Sequence, residues 1–326
     1  MTFAIRIHRT GGPEVLSWEK VPVGDPASGE ARIRHEAVGL NFIDTYHRSG
    51  LYPLPLPSGI GLEGAGVVVA VGEGVTEVRP GDRVAYAGGP VGAYSQERCL
   101  PAHRLLKLPD NIDFRTGAAM MLQGLTSAYL LRRTYRVQAG ETILIHAAAG
   151  GVGLIACQWA KALGATVIGT VSSDAKAELA KRHGCDHIIH YTREDVAKRV
   201  RELTDGEGVA VVYDGVGKDT FMASLDSLRI RGMMVTFGNA SGPVPPFDAL
   251  LLSQKGSLFI TRPVLANYTA KREELVELGA ELFDVVTSGK VRIEVHQTYA
   301  LADATQAHRD LEARKTTGST VFLPTV

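Results

Sequence analysis

Long hydrophobic runs are missing from this chain of 326 residues, and no stretch is long and apolar enough to span a bilayer. Cysteine is scarce: Cys99, Cys157 and Cys185 are odd in number and far apart. Such thiols give no disulfide frame and suit a reducing compartment. An excess of charge of one sign is also missing. The 35 Lys and Arg balance the 35 Asp and Glu, which removes any electrostatic argument for a nucleic-acid or membrane-surface partner. Ten histidines are scattered without metal-ligand spacing, and no repeat or low-complexity tract occurs. The N-terminus lacks the basic-then-apolar layout of a secretory signal, so a cytoplasmic location is the expectation. What is present, hydrophobic residues at 45% and evenly spread, excludes broad disorder.

The most informative stretch is His146-Ala-Ala-Ala-Gly-Gly-Val-Gly153, taken with its flanks. Upstream, Glu141–Ile145 is the short β-branched run of a buried parallel strand. Downstream, Leu154–Gly164 places apolar residues at helical spacing and stops at a glycine. A second strand, Thr166–Val171, follows at once. Strand, glycine turn, helix and strand make the βαβ unit that binds a dinucleotide, with its pyrophosphate at the helix N-terminus on Gly150, Gly151 and Val152. One position departs from G-x-G-x-x-G: Ala148 stands for the first glycine, and Ala147 offers an equally good spacing. An alanine can make this turn if its φ is negative.

Where a site for NAD would place an acid at the end of the second strand, this chain reads Ser172-Ser173-Asp174-Ala175-Lys176. Ser172, Ser173 and Lys176 suit a 2′-phosphate, which a carboxylate would repel, so NADPH is the expected cofactor. The same residues suit the N-cap of a helix beginning near Ala175, and Asp174 could still turn toward a ribose.

At this length two domains are expected, of α/β class. Residues 1–124 hold short β-prone runs punctuated by glycine and proline, including 30–38, 66–71 and 83–86, the pattern of a mostly β, small-barrel domain. A helical stretch over 117–135 should bridge into a doubly wound parallel sheet over 125–262, which continues through 187–190, 209–213 and 232–238. Residues 263–326, with a helix over about 271–287, should return to the first domain.

The chain resembles the zinc-independent quinone oxidoreductases of the medium-chain dehydrogenase/reductase superfamily, the group that includes zeta-crystallin. The resemblance runs end to end. It rests on Gly11-Gly-Pro-Glu-Val-Leu16, Gly39-Leu-Asn-Phe-Ile-Asp44, Tyr46-His-Arg-Ser-Gly-Leu-Tyr52, Pro80-Gly-Asp-Arg-Val84, the Ala147–Gly153 turn and Thr261-Arg-Pro263. It implies a GroES-like substrate domain, a Rossmann cofactor domain and NADPH-dependent reduction of quinones. Zinc members of the superfamily carry a cysteine where Asn41 stands and a histidine where Leu62 stands. Asn and Leu supply neither thiolate nor imidazole, so no metal is expected. Without a Lewis acid, alcohol oxidation is disfavoured, whereas a quinone is electrophilic enough to take a hydride directly.

Asn41, Tyr46 and Tyr52 are the candidates for the substrate pocket, since an amide or phenol can bond a carbonyl and aromatic faces can stack on a flat acceptor. Tyr46 and Tyr52 could equally be packing residues. No residue is singled out as general acid: Asp44 is a possible supporting group, and solvent can deliver the proton. Further cofactor contacts are implied by the resemblance. Phe42, Ile43, Asp44, Thr45 and Tyr46 would line the nicotinamide side with Thr126 nearby, and Tyr191 would lie near the adenine. Val216, Phe237, Gly238, Asn239, Ala240 and Ser241, with Arg262, Pro263 and Val264, would form loops over ribose and nicotinamide, and Arg314 would return to the cofactor. A reductase of activated C=C bonds needs the same hydride geometry and stays an alternative; a crystallin-like or RNA-binding role is a further one. The apolar run 256–261 should form a sheet edge, open to pairing into a homodimer.

Overall fold

The computed structural model describes residues 1–324. It divides into two compact units. The first comprises Met1–Leu125, Tyr268–Thr287 and the chain from Ile293 onward; the second comprises Thr126–Asn267 and Ser288–Arg292. The expected return at residue 263 thus begins at Tyr268, and a five-residue piece of the tail belongs to the second unit.

In the first unit, mostly antiparallel strands form a seven-stranded sheet among the described residues. Its longest strand, Glu30–Leu40, pairs with Glu63–Val71 on one side, and with Glu97–Pro101 and Ser319–Leu323 along the other. A smaller sheet is centred on Thr2–Ile7. Alternating burial along Glu30–Leu40 turns Ala31, Ile33 and Val38 into a core with Ile5, Val68, Tyr94, Leu100 and Phe322. Glu30–Leu40 and Glu63–Val71 pair along this core, and the short helix Phe42–Ser49 starts directly after the first of them.

In the second unit, all six strands among the described residues are parallel. The order across the sheet is His187–His190, Thr166–Val171, Thr142–Ile145, Val209–Asp214, Leu228–Thr236, Phe259–Thr261. This is the doubly wound order 3-2-1-4-5-6, which reverses direction between Thr142–Ile145 and Val209–Asp214. The central strands Thr142–Ile145, Thr166–Val171 and Val209–Asp214 are buried almost throughout and are largely apolar runs rather than alternating ones. Leu144, Ile168, Ile189, Val212 and Met234 pack with Val196, Val200, Phe221 and Leu225 from the helices.

The helical stretch expected over 117–135 is present, as an α-helix over Phe114–Tyr129 that continues as a π-helical turn over Leu130–Thr134. The edge strand is only Phe259–Thr261, because Gly256 and Ser257 take φ of 108° and 56° and make a turn. Of the two alanines that could stand for the first glycine, Ala148 stays out of the left-handed region, as that position requires, while Ala147 sits at φ 51° within it.

Candidate active site

The reversal of strand order in the second unit opens a crevice at the carboxyl ends of Thr142–Ile145 and Val209–Asp214, where open α/β sheets bind ligands. The turn Ala147–Gly150 closes with a hydrogen bond from Gly150 N to Ala147 O of 2.8 Å. The helix Gly151–Ala162 begins there, capped by Gly150 with no side-chain hydrogen bond, so its first-turn amides can receive an anion. A Cβ on Gly153 would sit 2.4 Å from Ala147 O and 2.7 Å from Ala148 O. Only a glycine lets the helix approach the turn this closely. The residues therefore fit a dinucleotide pyrophosphate.

Beneath the turn lies a buried polar frame that sequence reasoning missed. Asp214, fully buried at the end of its strand, accepts bonds at Oδ1 from the backbone amides of Val216 (2.8 Å) and Gly217 (3.0 Å). Its Oδ2 accepts from Thr220 (2.6 Å) and Ser224 (2.8 Å). Since Ser224 spends its only proton on Asp214, the His146 Nε2 that lies 3.0 Å from Ser224 Oγ must be the donor. His146 Nδ1 then accepts from Thr170 Oγ1 at 3.0 Å, while Thr170 Oγ1 accepts from Ala147 N at 3.3 Å. The frame thus ties the Ala147 turn to the Val216 loop. A second loop is clipped on top: Phe237 N donates to Asp214 O (2.8 Å), and Ser241 N and Oγ both donate to Val216 O (2.8 and 3.0 Å). Val216 and Phe237–Ser241, expected over ribose and nicotinamide, are thereby brought together. The signal for Asp214 was available: a lone acid ends an apolar parallel strand and is followed by Gly215 and Gly217.

At the end of Thr166–Val171, Ser173 caps the helix Asp174–Arg182 by accepting from Lys176 N at 3.4 Å. Ser172 is half-buried and Ser173 exposed. Tyr191, expected near the adenine, follows the adjacent strand and is held by its amide to Val171 O at 3.2 Å. Thr126 is buried in the long helix, and Arg262 and Val264 are exposed on either side of buried Pro263.

The first unit gathers Asn41, Phe42, Ile43, Asp44, Thr45, Tyr46 and Tyr52 on and around the helix Phe42–Ser49. Asn41 is its N-cap, and Asn41 N donates to Asp44 Oδ2 at 2.9 Å. The Asn41 amide is oriented from both ends. Its Nδ2 donates to Glu63 Oε2 at 2.6 Å, and its Oδ1 accepts from Gln123 Nε2 at 3.2 Å. Gln123 in turn accepts from Ser319 Oγ at 2.7 Å, and Glu63 Oε1 from Leu122 N at 2.7 Å. The Gln123 and Asn41 amides both donate in the direction of Glu63. Burial nevertheless outweighs them and raises the Glu63 carboxyl to about 8. Burial likewise raises Asp44 to about 7, against the bonds from Asn41 and Tyr94 that favour its charged form.

Behind Asp44, Tyr94 donates to its Oδ2 at 2.8 Å and lies 3.2 Å from His308 Nε2. Arg48, an obligate donor, bonds His308 Nδ1 at 3.0 Å and so fixes the ring proton on Nε2. Tyr46 and Tyr52 meet edge to face with centroids 5.2 Å apart, and Phe42 lies 5.9 Å from Tyr46. Arg314 is exposed in this unit, at φ 58°, after the helix Ala304–Glu312. Glu63, Gln123, Tyr94 and His308 escaped sequence reasoning. No spacing marked Glu63; its carboxylate fits because Gly39 lies on the strand paired with its own, where a Cβ would meet Glu63 Oε2 at 2.2 Å.

Two family models match the chain: an alcohol dehydrogenase GroES-like domain over residues 27–110 and a zinc-binding dehydrogenase over residues 151–283. A quinone oxidoreductase of Pseudomonas aeruginosa is 57% identical over 99% of this chain and 100% of its own length. The chain belongs to the quinone oxidoreductases of the medium-chain dehydrogenase/reductase superfamily. The crystal structure of Escherichia coli quinone oxidoreductase complexed with NADPH is similar to this member at 50% identity and a TM-score of 0.97, covering 99% of this chain and 100% of that one. A 2-haloacrylate reductase of Burkholderia is 48% identical over 99% of both chains. Although one family model is described as zinc-binding, no group of three or more His, Cys, Asp or Glu side chains could hold a metal among the described residues of this quinone oxidoreductase relative. Asn41 and Leu62 offer neither a thiolate nor an imidazole.

Proposed function

We propose that this chain reduces quinones with NADPH, by hydride transfer and without a metal. The carrying observation is the glycine turn at the switch point, with hydroxyls and a lysine rather than a free terminal acid at the end of the next strand. It is supported by full-length similarity to quinone oxidoreductases and to one solved with NADPH. When bound, the nicotinamide supplies the hydride. The chain's part is to bind and to orient.

The amides of the first turn after Gly150 hold the pyrophosphate, while Ser172, Ser173 and Lys176 hold the 2′-phosphate. In the second unit, Val216, Phe237–Ser241, Thr126 and Arg262–Val264 enclose the nicotinamide half, with Tyr191 at the adenine. Asn41 directs its second amide N–H at a quinone oxygen, because Glu63 and Gln123 already fix the amide plane. The Tyr46–Tyr52 pair gives the flat substrate an aromatic wall. Solvent supplies the proton, and Asp44 supports the helix start rather than the substrate.

Rates with 1,4-benzoquinone against 2-alkenals test the substrate class; the 48% identity to a 2-haloacrylate reductase makes an activated C=C bond the second reading. Faster alkenal than quinone turnover would reverse the order. Lys176→Ala should raise KM for NADPH far more than for NADH, by about 1.5–3 kcal/mol for one charge-assisted bond. Equal weakening would refute the phosphate assignment.

The same proposal includes a homodimer in the cytoplasm. Phe259–Thr261 ends the parallel sheet, with Phe259 56% and nearby Ile230 74% exposed, so pairing with its copy would cover an open edge. A monomer mass near 35 kDa by light scattering would sink this, and Phe259→Pro should produce that monomer. The three free cysteines suit a reducing compartment. Among the described residues no helix is long and apolar enough to cross a membrane.

A further inference from the structure

Asp174 is the obvious obstacle to a 2′-phosphate. It directly follows Ser173 at the end of the second strand of the parallel sheet, where a carboxylate would bond a ribose hydroxyl and repel a phosphate dianion. The structure shows what occupies it. Arg193 Nη2 donates to Asp174 Oδ1 at 2.8 Å, and His190 Nε2 lies 3.0 Å from the same oxygen. Arg193 and His190 both come from the neighbouring strand, His187–His190, and the loop after it. The other nearby acid, Glu194, is engaged elsewhere: it accepts from His190 N at 2.7 Å and pairs with Arg199 at 3.3 Å. Asp174 and Arg193 are both largely exposed, at 79% and 59%, so the pair is open to a ligand and contributes little to the fold.

We propose that Arg193 determines cofactor preference by neutralising Asp174: it draws the carboxylate off the ribose and offers its remaining N–H donors to the 2′-phosphate. This rests on the reading that Ser172, Ser173 and Lys176 form the phosphate rim. A guanidinium suits both tasks, since its five donors can bond a carboxylate with one and a phosphate with others. Without Arg193, Asp174 becomes a bare acid in the position that favours NADH. The pair therefore acts in both directions, toward one cofactor and against the other.

The test is calorimetric titration of NADPH and NADH into the full-length protein and into Arg193→Met, Asp174→Asn, the double variant, and Lys176→Ala. Arg193→Met should weaken NADPH by about tenfold or more, roughly the loss of one charge-assisted bond, while NADH binds as well or better. Adding Asp174→Asn to it should recover the part of the NADPH loss that the uncovered Asp174 charge causes and abolish any NADH gain. Equal weakening of both cofactors by Arg193→Met, or a double variant no better than Arg193→Met alone, overturns the proposal. Lys176→Ala separates the two readings. If it is selective against NADPH and Arg193→Met is not, the rim stands and the pair falls. If Lys176→Ala is unselective, the rim reading falls, and the pair falls with it only when Arg193→Met is unselective too.

Discussion

Replacing Asp214 with alanine isolates the buried frame beneath the two cofactor loops. Its carboxylate satisfies the Val216 and Gly217 amides through one oxygen and the Thr220 and Ser224 hydroxyls through the other. The hydroxyls have somewhere else to go. Thr220 can swing fully to Gly217 O, already 3.3 Å away, and Ser224 can turn to His146 if the imidazole exchanges tautomers. The two amides cannot re-aim, because the loop's close packing holds them: a Cβ on Gly217 would lie 2.5 Å from Gly242 O. Orphaning two buried N–H groups at about 1–3 kcal/mol each, less some relief from no longer burying a charge, predicts a loss of about 3–5 kcal/mol. Asp214→Asn keeps an oxygen facing both amides and should lose only about 1–2 kcal/mol. Guanidinium denaturation followed by tryptophan fluorescence measures both, and NADPH titration should show Asp214→Ala weakened well beyond Asp214→Asn. If the alanine variant loses less than about 1 kcal/mol, or the two variants lose the same, then the amide bonds do not hold the loop.

Other substitutions probe separate parts of the site. Ala147→Gly should stabilise by about 0.5–1 kcal/mol, since glycine removes the left-handed strain at φ 51° and returns part of the gain as backbone entropy; a lower melting temperature would contradict this. Gly153→Ala should push the helix off the turn, costing about 1–3 kcal/mol and at least tenfold in NADPH affinity, and unchanged titration curves would refute the close-approach argument. Because the folded-state pKa of Glu63 (about 8) and Asp44 (about 7) lies above the ordinary values of 4.5 and 3.8, the native state holds protons that the unfolded chain releases. Stability should therefore fall as pH rises, from about 3.8 to 7 for Asp44 and from about 4.5 to 8 for Glu63, by at most about 1.4 kcal/mol per pH unit for each group. Glu63→Gln should flatten that slope, and denaturation at pH 5 and pH 8 showing the wild-type slope in the variant would show that Glu63 is not the group responsible.

The legible parts were those with short-range physical causes. The glycine turn, its flanking strands and the following helix are contiguous, so periodicity and one glycine cluster sufficed to place them. Hydroxyls in place of a terminal acid pointed to a phosphate, and an apolar run after the last βα unit pointed to a sheet edge. The departures arose where a local rule met a competing one. The turn tolerates a left-handed Ala147 because the frame beneath it holds the backbone, and the edge strand starts late because Ser257 turns with Gly256. What no spacing could show were the partners of isolated polar residues. Asn41 meets Glu63 and Gln123, 22 and 82 positions away, and Tyr94 meets His308 across 214. Those meetings follow from how the strands pair and the core packs, and they set which way each amide and imidazole points and how far burial moves each carboxyl. Residue types along the chain carry the chemistry available to this protein, but their orientation and charge come from neighbours that only the folded sheet brings within hydrogen-bonding distance.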